Sequence, residues 1–140
     1  MFYDPRELIV EPIELTARRE ALGFTIASLA KQLGIRENSV ARWEGGTYEP
    51  KDWEWIDGAL RVMEHYQDEA TRRLVSQALD DQEGSTSRLV TYRSDDALWA
   101  ADEEAARGQI PAVVHRSATA RAASILRSTE ARSAVVVSGE

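Results

Sequence analysis

The sequence predicts a mainly α-helical chain: a head of short helices, one long connecting helix and a small C-terminal α/β unit. Three observations predict it. Apolar residues recur at three- and four-residue steps from Thr25 to about Asp80. Glycines at 23, 34, 45 and 46 cut the first part of that pattern into short pieces. Beyond Gly84, β-prone runs alternate with alanine-rich ones. With 140 residues and 43% apolar content, the chain can form one domain or two small ones around a true core.

The first dozen residues, with Pro5 and Pro12, read as an arm, and Pro12 suits the first turn of a helix because its missing N–H is an orphan there anyway. A first helix follows to about Leu22 on Ile13, Leu15, Ala17 and Leu22, with Gly23 as its stop. Thr25 is placed to cap a second helix carrying Ile26, Leu29, Ala30 and Leu33. Gly34 permits the left-handed backbone of a sharp turn. A third helix starts near Arg36 and runs to about Glu44, with Val40 and Trp43 inward, before Gly45 and Gly46 break it and Pro50 marks the next start.

From Asp52 to about Asp80 one long helix is expected. Trp53, Ile56, Leu60, Met63, Ala70 and Leu74 form a heptad-like stripe with Gln67 as its polar member, and this stripe is an expected pairing surface. Asp81 to Ser87 reads as a linker. Arg88–Tyr92 reads as a strand, Asp95–Ala106 as a short helix, Ile110–Val114 as a second strand with Pro111 near an edge and as the other expected pairing surface, and Ser117–Arg127 as a last helix. In the tail from Ser128, Val135–Val137 either pairs as a strand or stays mobile. The expected boundaries are therefore an arm at 1–12, a head at 13–60 whose last helix runs on to about 81, an α/β unit at 88–127 and a tail at 128–140.

Composition narrows the chemistry. There is no cysteine, hence no disulfide framework and no thiolate metal site. The start of the chain lacks the basic-then-apolar order of a signal peptide, and no apolar run approaches the ~20 residues of a membrane span. A cytoplasmic protein without membrane contact is expected. His65 and His115 stand apart from carboxylate clusters, so no metal or other cofactor is expected. Ser117 and Ser124 show no base partner, and no constellation suggests catalysis. Arg72, Arg73, Arg116 and Arg121 read first as solubilising charges or salt-bridge partners.

The net charge of −7 is unevenly spread. Residues 13–48 carry five bases against four acids, residues 51–83 four against nine, and the chain from Gly84 onward seven of each. The acid thus concentrates in residues 51–83, away from the short helices of the head. There, Ala30 is small enough for two helices to cross closely, and Ile35, Val40 and Trp43 seat the third helix on the core. That leaves Arg36, Glu37, Asn38, Ala41 and Arg42 outward. Asn38 suits an adenine edge, Arg36 or Arg42 guanine O6 and N7, and Glu37 cytosine N4. Thr25, Ser39 and Thr47 suit phosphate contacts, which position without specifying sequence.

The run Leu29-Ala30, Leu33-Gly34-Ile35, Val40, Arg42-Trp43-Glu44 and Pro50 resembles the helix-turn-helix of the lambda Cro and repressor family, also called the XRE family. The resemblance covers roughly residues 13–60, and Trp43-Glu44-Gly45-Gly46 with a proline nearby is its most specific part. Ile26 stands where many members carry a phosphate-binding glutamine. The whole-chain layout is similar to phage and bacterial anti-CRISPR-associated autorepressors, which join such a head through a long helix to a C-terminal α/β dimerisation domain. The resemblance implies a lambda-repressor-like bundle and a homodimer that binds double-stranded DNA at a palindromic operator of its own operon, as a repressor. It would be nucleoid-associated when bound. RNA or a protein stays open as a further partner. The alternative reading is an antitoxin-like or adaptor module whose helix-turn-helix is degenerate.

Overall fold

The computed structural model describes residues 11–81 and 86–140. Most of the expected N-terminal arm and residues 82–85 of the expected linker lie outside the described residues. The chain divides into two compact units, Met1–Arg61 and Val62–Glu140.

In the first unit, α1 (Pro12–Leu22), α2 (Ile26–Leu33) and α3 (Glu37–Glu44) are followed by the start of α4 (Trp53–Asp80). Pro12 opens α1, and Gly23 ends it in the left-handed conformation at φ 92°. Leu15, Leu22, Phe24, Leu29, Ala30, Leu33, Val40, Ile56 and Leu60 are buried and make the core. All but Phe24 stand on the predicted helical spacing.

The second unit contains the rest of α4, then β1 (Thr86–Thr91), α5 (Asp95–Ala101), α6 (Glu103–Gly108), α7 (Ala112–Ser128) and β2 (Ser133–Ser138). β1 and β2 pair in parallel, Thr86 opposite Ser133 through Thr91 opposite Ser138. A parallel pair needs a long crossover, and α5, α6 and α7 supply it. Ala78, Leu89, Ala122, Ala123, Leu126 and Ala134 close one core between α4, α7 and the inner face of the sheet. A buried polar network runs beside it. The Tyr66 hydroxyl donates to Asp102 Oδ2 at 2.6 Å, and the Thr91 hydroxyl meets His115 Nδ1 at 2.8 Å.

Three expectations are corrected here. Ile110–Val114 is no strand: Pro111 is the N-cap of α7, and the helix begins at Ala112. Ala112, Val114, His115, Ala118, Thr119, Ala122, Ala123 and Leu126 are its buried residues, so burial along one helical face outweighs the β preference of two valines. The second strand is instead Ser133–Ser138, within the tail. The expected helix Asp95–Ala106 breaks at Asp102, whose carboxylate accepts the Ala105 N–H at 3.0 Å and caps α6. Finally, the stripe on α4 is not a free pairing surface. Ile56, Leu60, Met63, Gln67 and Ala70 are all buried within the chain.

The four arginines read as salt-bridge partners are engaged within the second unit. Arg72 meets Glu69, Arg73 lies near Asp102 and Glu104, and Arg121 meets Asp68. Arg116 donates to the carbonyls of Tyr92 and Arg93.

Candidate nucleic-acid interface

The turn between α2 and α3 is built from local chemistry. At the start of α2, the Thr25 hydroxyl accepts the Ser28 N–H at 3.0 Å while the Ser28 hydroxyl accepts the Thr25 N–H at 2.9 Å. This reciprocal cap fixes where α2 begins. At its end Gly34 takes φ 71°, and the Gly34 and Ile35 N–H groups donate to the carbonyls of Lys31 and Ala30. Arg36 then serves as N-cap of α3 with an extended backbone. Glu37 in the first turn favours the positive end of the helix.

Helix α3 rotates by about 100° per residue. Val40 is fully buried, and Trp43 and Glu44 are half-buried beside it. Asn38, Ala41 and Arg42 therefore face away, and all three are exposed, as are Arg36 and Glu37. The four expected base readers, Arg36, Glu37, Asn38 and Arg42, thus lie together along one short helix and its cap.

The three expected phosphate contacts are more dispersed. Thr25 is exposed, but its hydroxyl is engaged in the cap. What α2 offers at that end is backbone N–H from its first turn, where helices leave donors without partners. Ser39 is half-buried and lines a cleft of about 360 Å³ with Arg42, Tyr48, Lys51 and Trp55. Thr47 is exposed, and its N–H closes onto the Arg42 carbonyl at 3.0 Å.

The orientation of α3 rests on an ion pair that sequence reasoning missed. Arg19 of α1 grips Glu44 with two bonds, Nε to Oε2 at 2.8 Å and Nη2 to Oε1 at 3.0 Å. Its remaining Nη1 donates to the Phe24 carbonyl at 2.9 Å, and Thr16 donates to Glu44 Oε1 at 2.8 Å. The hydrogen bond to Glu44 raises the arginine's proton affinity further, against a smaller opposing effect of burial. Glu44 stands four residues after Val40 and so shares the inner face of α3, but nothing in the spacing names its partner on α1.

A second anchor joins α1 to the start of α4. Arg18 and Arg61 both bind Asp57 at 2.8 Å, and Arg18 lies over the Trp53 ring at 5.9 Å. Burial pushes the Asp57 carboxyl upward, but the bonds to Arg61 and Arg18 outweigh it and hold the group below its usual range.

Two large aromatic side chains beside α3 remain in water, Tyr48 at 57% exposure and Trp55 at 56%. The Arg42 guanidinium lies over the Tyr48 ring at 5.4 Å. Tyr48 and Lys51 were not among the expected site residues. Among the described residues no group of three or more histidines or carboxylates can hold a metal ion, and no helix is long and apolar enough to cross a membrane.

Residues 15–52 match the family model described as helix-turn-helix, and this segment is of the XRE type. The match covers the whole of α2, the turn and α3 and most of α1. At the family level it marks a DNA-binding regulator. No curated protein matches the chain.

Proposed function

We propose that this chain, which carries an XRE-type helix-turn-helix at residues 15–52, is a sequence-specific transcriptional regulator that acts as a dimeric repressor on a palindromic operator. The observation that carries this reading is the outer face of α3. Arg36, Asn38 and Arg42 are exposed there on a helix held from behind by the Arg19–Glu44 pair. Those residue types suit base edges in the major groove, the groove wide enough to admit a helix. Glu37 adds an acceptor for cytosine. Thr47, Ser39 and the N-terminal turn of α2 behind Thr25 are the phosphate contacts that set register.

One eight-residue α3 meets few base pairs, so useful specificity needs two half-sites about 34–36 Å apart. The second unit supports a dimer through its sheet. Helix α7 packs on Leu89 and Ala134 of its inner face, where Val136 stays 43% exposed, while Val90 and Val135, at 40% and 44% exposure, stand on the opposite face beside half-buried Val137 and exposed Arg88. An apolar sheet face of this kind is stabilised by a second copy. Repression of its own operon, in the cytoplasm and on the nucleoid, follows from the layout the chain resembles.

A protein partner is the second reading, favoured by the cleft lined by Tyr48, Trp55 and Ile35. Selection from a random pool of duplexes separates the two readings. Enrichment of an inverted repeat, with a sedimentation mass of two chains, is the expected outcome. A pool that stays unenriched at low salt would rule out sequence reading and leave the protein partner.

A further inference from the structure

The chain leaving α3 folds back on it. Gly46 takes φ 77°, and the N–H groups of Thr47 and Tyr48 both reach the Arg42 carbonyl, at 3.0 and 3.4 Å. This turn lays the exposed Tyr48 ring under the Arg42 side chain, with the guanidinium carbon 5.4 Å from the ring centroid. Among the described residues, no carboxylate pairs with Arg42. The other guanidinium–ring contact among the described residues, Arg18 over Trp53, joins α1 to the start of α4. Among the described residues, no ring lies beneath Arg36.

A guanidinium drawn to a ring face by cation–π attraction keeps the N–H donors that point away from the ring available. A free arginine samples many rotamers; one held at a ring presents its fork in a narrower range of directions. Bidentate recognition of guanine O6 and N7 depends on that direction. Position, chemistry and the glycine turn together point to a division of labour on α3.

We propose that Tyr48 is a positioning residue for base reading: its ring holds the Arg42 guanidinium so that the fork meets one guanine of the operator. This rests on the DNA-reading role of α3. It makes the base opposite Arg42 the most stringent guanine of each half-site. It also gives the Gly45-Gly46 turn a part in specificity, because that turn returns Tyr48 to Arg42.

The test measures binding of wild type, Tyr48→Ala, Tyr48→Phe and Arg42→Ala to the selected duplex and to duplexes with each guanine replaced in turn. Wild type is expected to discriminate most strongly at one guanine. Tyr48→Ala is expected to lose about two- to fivefold of that discrimination there and nowhere else, as a surface cation–π contact implies. Tyr48→Phe restores it, and Tyr48→Ala changes nothing further once Arg42 is alanine. Full guanine preference in Tyr48→Ala would overturn the proposal. So would an even loss on every sequence, the sign of a backbone contact, or a gain in affinity, the sign of a ring that withholds Arg42. If wild type discriminates no base, the DNA reading falls and this role with it; a selective wild type with an unaffected Tyr48→Ala sinks the positioning role alone.

Discussion

Replacing Glu44 with alanine tests the anchor that orients the reading helix. The Arg19 and Glu44 side chains are 12% and 7% exposed and share two bonds of 2.8 and 3.0 Å. Removing one partner of such a pair leaves a charge inside without its counterion, which costs ~3–5 kcal/mol. Arg19 keeps the Phe24 carbonyl and lies 3.9 Å from the Glu20 carboxylate, so no more than the lower end applies, ~3 kcal/mol. For a unit of this size that lowers Tm by roughly 12–24 °C. Circular dichroism gives the melting curve, and hydrogen exchange of the α1–α3 amides assigns the loss to the first unit. The cycle is completed with Arg19→Met and the Arg19→Met/Glu44→Met double variant. Removing both charges leaves no orphan, so the double variant should lose ~2 kcal/mol less than the sum of the singles. Salt at 1 M should leave the wild-type contribution largely intact, because water does not surround the pair. Single losses below ~1 kcal/mol, or strict additivity, would mean the pair behaves as a surface contact and would refute the reasoning.

Two further outcomes follow from local geometry. Gly34 sits at φ +71° with open space where a Cβ would stand, so Gly34→Ala should cost ~1–2 kcal/mol through backbone strain alone; a neutral effect in denaturant titration would show that the turn relaxes. His115 is buried, and burial lowers its pKa from the ordinary value of 6.5, with Asp102 opposing and Arg73 adding smaller effects. The unfolded chain then takes up a proton that the folded unit refuses. The stability tied to this group is complete above about pH 6.5 and is lost as pH falls from there through the lower folded value. Melting of the second unit should weaken as pH falls below about 6.5, less so in His115→Gln; an NMR titration of the His115 ring at or above 6.5 would contradict this.

The head was legible because each of its signals is local. Thr25, Gly34 and the spacing of Leu29, Leu33 and Val40 act within one or two turns, and the observed helices end where those residues place them. The long helix from Trp53 to Asp80 was equally plain from its period. The strand partner was not. Val113-Val114 and Val135–Val137 carry the same β preference, and the choice between them depends on a tertiary fact, that the face of α7 needs covering along its length. The α4 stripe misled for a related reason, since a buried intramolecular face and a dimer seam share one period. Within the site, exposure of Arg36, Asn38 and Arg42 follows from the wheel of α3, whereas the Arg19–Glu44 and Arg42–Tyr48 contacts depend on how the chain folds back. No spacing rule encodes them.

The most direct test of DNA reading is fluorescence anisotropy on the duplex just upstream of the protein's own gene, titrated with salt, comparing wild type with Arg36→Ala/Asn38→Ala. The expected result is a wild-type preference for that duplex over scrambled DNA of roughly tenfold or more, with affinity falling steeply as salt rises; the variant keeps only the weak, sequence-blind part. Equal affinity of wild type and variant for both duplexes, at every salt concentration, would contradict a reading role for α3.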